Sequence, residues 1–336
     1  MHPLRQVLDE PAADFDEILR HPSPEDPFWR TRFGGGEAHN AIQNANIPIL
    51  LVTGFYDIYT GGVFDMWQGL DAATKAKSAL AVHPFDHGGK GDKQPICFEN
   101  GLLAKEFENY KVRWLDAIRG KCAAPFTQGK VTYYKLFDGQ WCCDDFYDAA
   151  DSMRLALGEG SVTYTYNPFA PASFRGGLSA NFGGNAWQDA PNSRYDIISL
   201  YTKAFEQDTF IKGKIRAKLK VRSDCEDTCF YLRLSLGKEE GDYGLRDDIQ
   251  QISNFDVAYQ PHEEIELSFS FDEHAFVIRK GEKLRIDISS SAYPHYVAHT
   301  NQRGLFSAQT TAKVARNTVV LEESYVDLPI LRDVKR

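Results

Sequence analysis

The chain reads as an α/β segment built on a parallel sheet, followed by an all-β region with the look of a jelly-roll β-sandwich. Three observations predict this. Two apolar runs of strand length, Ile47 to Thr53 and Ser78 to His83, flank a stretch long enough for a helix. A helical pattern of apolar residues spans about Asn100 to Arg119. From about Pro125 onward, period-two alternation replaces helical spacing. The expected divisions are residues 1–45, 46–124 and 125–336.

Composition supports a folded protein of two domains. A chain of 336 residues exceeds one ordinary core, and 43% hydrophobic with 13% aromatic residues is enough to fill both. There is no run of about 18 uncharged apolar residues, which excludes a helical membrane span. The start, MHPLRQVLDEPAADF, lacks the basic-then-apolar pattern of a secretory signal, so a soluble, cytoplasmic protein is expected. A net charge of -9, with no basic stripe among the aromatics, argues against nucleic acid as a partner. The cysteines Cys97, Cys122, Cys142, Cys143, Cys225 and Cys229 contain no CxxC pair and match no zinc spacing. Buried thiols are expected, with a Cys225 to Cys229 bridge as the competing reading.

Taken in order, residues 1–45 are short polar pieces broken by Pro11, Pro22, Pro24, Pro27 and Gly34-Gly35-Gly36. They have too few periodic apolar positions for a core of their own and read as the tail of a larger unit. Next come a strand at Ile47 to Thr53, a helix over Val63 to Lys77 with Phe64, Trp67, Leu70 and Ala73 at three-residue steps, and a strand at Ser78 to His83. The helix near 100 to 119 sets Leu102, Leu103, Phe107, Tyr110, Trp114, Leu115 and Ile118 on one face and ends at Gly120. In the last region Ile215, Ala217, Leu219 and Val221 alternate with Lys214, Arg216, Lys218 and Lys220. Phe230 to Leu236, Ile265 to Phe271 and Leu284 to Ile288 repeat the pattern, predicting antiparallel strands with one face on a core and the other in water. Long connections such as Asn167 to Ser193 favour crossing, jelly-roll connections over a meander.

The candidate chemistry lies where the first two strands end, at Asp57 in GFYD and His87 in HPFDH. Open parallel sheets carry their chemistry just beyond the carboxyl ends of the strands, so these two side chains can meet. A carboxylate that fixes an imidazole tautomer and stabilises its protonated form serves to activate a hydroxyl or thiol. The competing reading of Asp57 is a turn cap; Tyr56 either lines a pocket or plugs the sheet end. A GxSxG elbow for a nucleophilic serine is absent, and the nearest stretch, Gly177-Leu-Ser179-Ala-Asn181, fails at its fifth place. His83, Trp67 and Trp114 read as packing residues. His295 and His299 read as loop residues without a third metal ligand, and Glu239-Glu240 and Asp247-Asp248 as solvated turns.

The order GFYD, HPFDH, WLDAIRGK, NPFAP, RGG, SDCEDTCFYLRLSL, KGEKLRIDISSSAYPHY and LPIL resembles the C-terminal half to two-thirds of the CocE/NonD hydrolases, relatives of X-Pro dipeptidyl-peptidases, cocaine esterase and α-amino acid ester hydrolases. The resemblance implies the C-terminal portion of an α/β-hydrolase sheet in residues 46–124, a jelly roll in 125–336 and a remnant of a helical cap in 1–45. It implies a Ser-Asp-His triad in which Asp57 and His87 are the second and third members. Phe55 and Phe85 stand where the family has Trp, and His83 where it has Gly. PSPEDPFW is similar to the passage closing the cap, which places Asp26 and Trp29 at the acyl pocket and makes Glu25 and Asp26 candidates for holding a substrate amine; Tyr56, beside Asp57, is the further candidate for lining the pocket.

On this reading the substrate is a small acyl ester or peptide, there is no cofactor or metal, and the nucleophile segment would precede residue 1. The expected partner is then an N-terminal hydrolase half or a second copy of the chain, and the chain alone is inactive. The alternative is a non-catalytic jelly-roll module, binding carbohydrate or protein, attached to a relic of the hydrolase sheet.

Overall fold

The computed structural model describes residues 17–21, 26–29, 42–89, 96–98, 109–147, 151–177 and 184–331. Its first sheet has four strands in chain order: β1 (Leu50–Tyr56), β2 (Ala79–Asp86), β3 (Val131–Lys135) and β4 (Gln140–Asp144). β1, β2 and β3 are parallel, and β4 returns antiparallel on β3. The change of texture expected at 125 therefore does not divide the sheets. Val131 to Tyr133 pair with Leu80 to Val82, and the hairpin to β4 turns through Phe137 and Gly139, both at positive φ.

Alternation along β2 separates two packing faces. Ala79 and Ala81, with Leu50 and Val52 of β1, lie against Tyr110 and Trp114 of helix α3 (Tyr110–Ile118) and Phe126. Leu80 and Val82 join Phe55 and the rings of Phe64 and Trp67, from helix α1 (Thr60–Gly69), in the main core. Helices thus serve both faces, as a parallel sheet requires.

Two helices depart from the sequence expectation. The single helix over 63 to 77 is instead α1 and a short α2 (Ala72–Lys75), separated by an extended Leu70. Asp71 causes the restart: its Oδ1 accepts from the Ala73 and Thr74 amides at 2.8 and 2.9 Å, and its Oδ2 from the Thr74 hydroxyl at 2.7 Å. In α3, Tyr110 and Trp114 are buried as expected, but Leu115 and Ile118 are 52% and 43% exposed. The two alanines of β2 accept one row of large rings, and that row alone seats the helix. Leu102, Leu103 and Phe107 lie outside the described residues.

The β-rich remainder holds two further sheets. One has the order β11 (Gly241–Gln251), β10 (Cys229–Lys238), β14 (Lys283–Ser289), β7 (Ile198–Tyr201). The other runs β12 (Ile265–Ser270), β9 (Arg216–Ser223), β15 (Ala315–Leu331), β8 (Thr209–Gly213), β13 (His274–Ile278), with β5 (Asp151–Ala156) and β6 (Ser161–Tyr166) also pairing with β15. The strand β15 reaches four partners because its 17 residues pair in successive stretches with β6, β5 and β8 as well as with β9, against which its register shifts between Val320 and Tyr325, and it ties the larger sheet together.

β9 and β12 alternate buried and exposed, as their sequences predict. β10 and β14 do not: Arg233, Ser235, Arg285, Asp287 and Ser289, on the face expected in water, are buried. They are covered, and the charged ones are paired, Arg285 donating to Asp287 and Asp242 and Arg233 to the Tyr231 hydroxyl, while Ser289 donates to the Asp196 carbonyl. Asp247, read as part of a solvated turn, is a buried residue of β11 and accepts from the Tyr231 hydroxyl.

One core runs through all three sheets, from Leu80 and Tyr133 to Leu219, Leu232 and Ile286. Main-chain bonds reinforce it: the Leu136 amide donates to the Ala275 carbonyl at 2.9 Å, and the Val277 amide to the Leu136 carbonyl at 3.1 Å. The β-rich region is thereby fixed under the carboxyl end of β1.

Candidate active site

β1 and β2 keep one register from Leu50 opposite Ala79 to Gly54 opposite His83, then shift so that Tyr56 stands opposite Asp86. The extra residue falls in β2. Continued one step, the shifted register sets Asp57 against His87, where the earlier one would have set it against Asp86. The bulge thus aims the two tips at each other, a common use of this irregularity.

His87 Nδ1 lies 3.2 Å from Asp57 Oδ1 and 3.3 Å from Oδ2. The carboxylate side chain is 15% exposed and the imidazole 48%, so the pair opens to solvent on the histidine side. Hydrogen bonding through Nδ1 leaves Nε2 free to take or give a proton, the division of labour in a histidine base oriented by a carboxylate.

Short local bonds hold the two tips. The Asp57 amide donates to the Gly54 carbonyl at 2.9 Å, and the buried Thr60 hydroxyl reaches the Gly54 and Asp57 carbonyls, each at 2.6 Å, where α1 begins. Asp57 Oδ1 also accepts from the Tyr59 amide at 2.9 Å, so the turn-cap reading of Asp57 is correct alongside its contact with His87. Asp86 Oδ1 accepts from the Gly88 amide at 2.9 Å and shapes the turn that presents His87. Tyr59 was not anticipated from the sequence; its ring stands edge-on to His87 with centroids 5.1 Å apart. Its place two residues after Asp57 was the available signal.

Other sequence candidates sit elsewhere. Tyr56 is 2% exposed and turned into the interior, its ring edge-on to His274 at 5.4 Å and to Tyr243 at 6.4 Å. It plugs the sheet end and offers no surface to a substrate. Asp26 and Trp29 are described within their own turn: Asp26 accepts from the Phe28 amide at 2.9 Å and lies 2.8 Å from His21 Nδ1, and Trp29 Nε1 donates to the His21 carbonyl at 3.0 Å. The bond from His21 holds the Asp26 carboxyl below its usual range. Glu25 lies outside the described residues, as does Ser179.

His83 is buried with its ring edge-on to Trp141 at 5.1 Å, and Trp67 and Trp114 are buried as packing residues. His299 is buried beside Asp227, Nε2 to Oδ2 3.8 Å, and its Nδ1 accepts from the Asn301 amide at 3.0 Å. Among the described residues, no three His, Cys, Asp or Glu side chains could hold a metal ion together. Cys225 and Cys229 are buried free thiols, and burial pushes the Cys225 thiol up to about 11. Cys97, Cys122 and Cys143 are exposed, against the expectation of burial.

Comparison with known proteins gives this arrangement its context. Residues 2–89 match the X-Pro dipeptidyl-peptidase (S15 family) profile, and residues 163–326 the X-Pro dipeptidyl-peptidase C-terminal non-catalytic domain. The cocaine esterase of Rhodococcus sp. (strain MB1 Bresler) is 20% identical over 363 residues, covering 94% of this chain and 61% of the esterase. An aminopeptidase from the marine sediment archaeon Thaumarchaeota archaeon superposes with a TM-score of 0.83 at 16% identity, over 98% of this chain and 61% of that one. An α-amino acid ester hydrolase gives 0.80 at 14% identity, with the same coverage. A CocE/NonD family hydrolase from Staphylococcus aureus gives 0.55 at 13% identity, over 85% of this chain and 54% of that one. The chain thus spans about 61% of the length of its esterase relative. With both profiles matched in order on a fold common to these hydrolases, the chain belongs to the X-Pro dipeptidyl-peptidase and CocE/NonD family.

Proposed function

We propose that Asp57 and His87 are the orienting carboxylate and the general base of a serine acyl hydrolase, acting on an ester or an X-Pro or other amide bond. The observation that carries this reading is the contact of His87 Nδ1 with the Asp57 carboxylate at 3.2 Å, on the tips of adjacent parallel strands. His87 Nε2 takes the proton of a serine hydroxyl as it attacks the acyl carbon and returns it to the leaving oxygen or nitrogen. Asp57 holds the ring in the tautomer this requires and stabilises the imidazolium between the two transfers.

The serine comes, on this proposal, from sequence outside these 336 residues, since none of their own serines stands on a nucleophile elbow. Two features support an associating segment that extends the sheet. Among the described residues, β1 has a strand partner on one side only. Val112, Leu115 and Ile118 of α3 expose apolar surface beside it, at 58%, 52% and 43%. The β-rich region is then a jelly-roll sandwich that buttresses the sheet. In the same proposal Asp26 and Trp29 border the acyl pocket, and the ionised Asp26, with Glu25, receives a substrate ammonium. A stand-alone binding module would give no reason for a carboxylate and an imidazole to stay in contact.

The test mixes the chain with the N-terminal hydrolase segment of a close relative and follows p-nitrophenyl acetate and X-Pro anilide turnover. No turnover is expected from the chain alone. Activity on mixing, lost in His87→Ala, is the expected result, and turnover that survives His87→Ala overturns the assignment.

A further inference from the structure

Tyr56, which precedes Asp57, and Asp86, which precedes His87, are the last residues of β1 and β2. One glycine of the β-rich region is seated against both. Gly184 is buried at φ +55°, and a β-carbon there would stand 2.7 Å from the Asp86 β-carbon and 3.1 Å from both the β-carbon and the carbonyl oxygen of Tyr56. Each of these three atoms is fixed to its own backbone, so no change of rotamer moves it aside.

Gly184 is held from behind. The Gly177 amide donates to its carbonyl at 2.5 Å. Two residues further on, the Ala186 carbonyl accepts from the Gly244 amide at 2.9 Å, and the Gln188 amide then donates to the Asp242 carbonyl at 2.8 Å. Residues 184–188 are thereby laced to β11 as a brace. Trp187 seats it, edge-on to Tyr243 at 5.2 Å, and Tyr243 is in turn edge-on to Tyr56 at 6.4 Å. The brace is tied into a sheet, whereas the tips it meets run out of theirs, with the His87 side chain 48% exposed. Under pressure between the two, the tips are the side that yields.

We propose that Gly184 is a positioning residue for the Asp57–His87 pair: having no side chain, it lets the β-rich region brace both strand ends at the separation where carboxylate and imidazole meet. Carbon atoms in ordinary contact lie about 3.5–4.0 Å apart, so a β-carbon at 184 needs about 1 Å more room against Asp86. The contact of His87 with Asp57, at 3.2 Å, has far less to spare before it ceases to be a hydrogen bond. This deepens the reading of Asp57 and His87 as a working pair and rests on it.

Nitrogen-15 NMR of the His87 ring in the full 336-residue chain, at a pH where the imidazole is neutral, tests the proposal. It needs no turnover, so its outcome is separate from that of the mixing experiment. The Nδ1–H tautomer favoured by the Asp57 carboxylate should dominate in the wild type, and its ratio to Nε2–H should fall several-fold in Gly184→Ala. Gly160→Ala is the control for backbone strain, since Gly160 has φ +64° and nothing within 4 Å of an added β-carbon, and it should leave the ratio unchanged. Adding Asp86→Gly to Gly184→Ala removes the atom that the new methyl meets first and should return the ratio to that of Asp86→Gly alone. The double variant carries the same test if Gly184→Ala does not fold. A ratio in Gly184→Ala equal to the wild type's, an equal fall in Gly160→Ala, or a double variant that recovers neither fold nor ratio overturns the proposal and leaves the pair standing. A wild-type ring mainly in the Nε2–H form overturns the pair and the proposal with it.

Discussion

Gly54 of β1 and Phe85 of β2 meet main chain to main chain: a β-carbon on Gly54 would stand 2.0 Å from the Phe85 carbonyl oxygen and 2.8 Å from its carbon. The register shift that aims Asp57 at His87 lies at this contact. Overpacking ordinarily costs about 1–3 kcal/mol, and here the obstacle is backbone, which cannot swing aside as a side chain can. Gly54→Ala should therefore lose about 3 kcal/mol or more by urea unfolding, and separate the two strand tips. A loss within about 0.5 kcal/mol, the range of neutral surface changes, would show that β1 and β2 do not approach this closely.

The parallel pair and the meeting of its two tips, Asp57 and His87, were legible because apolar runs of strand length ended in ionisable residues. The bulge was not, because the extra residue in HPFDH leaves no mark on hydrophobic periodicity. The break at Leu70 was readable in principle from Asp71, a strong N-cap residue hidden inside a helical pattern. The polar positions of β10 and β14 misled for a different reason: Arg285 and Asp287 alternate with Leu284, Ile286 and Ile288 as solvent-facing residues do, and only their mutual pairing shows them to be buried.

That pairing supplies a second prediction. Arg285 is 3% exposed and donates through Nε to Asp287 at 2.8 Å and through Nη1 to Asp242 at 2.9 Å. Arg285→Met leaves Asp287, which is fully buried, without its cation, and breaking such a pair from one side costs about 3–5 kcal/mol. Adding Asp287→Leu should recover part of the loss. Urea unfolding of the two variants checks this, and a double variant less stable than the single would contradict it.

A third prediction concerns pH. Burial lowers His274, His295 and His299 from the ordinary value of 6.5. Below pH 6.5 the unfolded chain thus binds more protons at these positions than the folded one, and their contribution to stability, complete above 6.5, is lost as pH falls. Burial raises Glu273, Asp248 and Asp287, which titrate in the opposite sense, so the histidine contribution is read as a difference. Between about pH 6.5 and about pH 5.5, the loss of stability should be smaller in His274→Asn than in the wild type by up to about 1 kcal/mol. Equal losses in the two proteins would show that His274 is not held neutral by burial.

The claim on which the functional reading turns is that the Asp57 carboxylate holds the proton of His87 on Nδ1. Nitrogen-15 NMR of the His87 ring, at a pH where the imidazole is neutral, measures this without substrate or partner. The Nδ1–H tautomer should dominate in the wild type and give way to Nε2–H in Asp57→Ala, since a carboxylate acceptor is what favours it. A wild-type ring mainly in the Nε2–H form, unchanged by Asp57→Ala, would contradict the assignment of Asp57 as orienter and of His87 Nε2 as base.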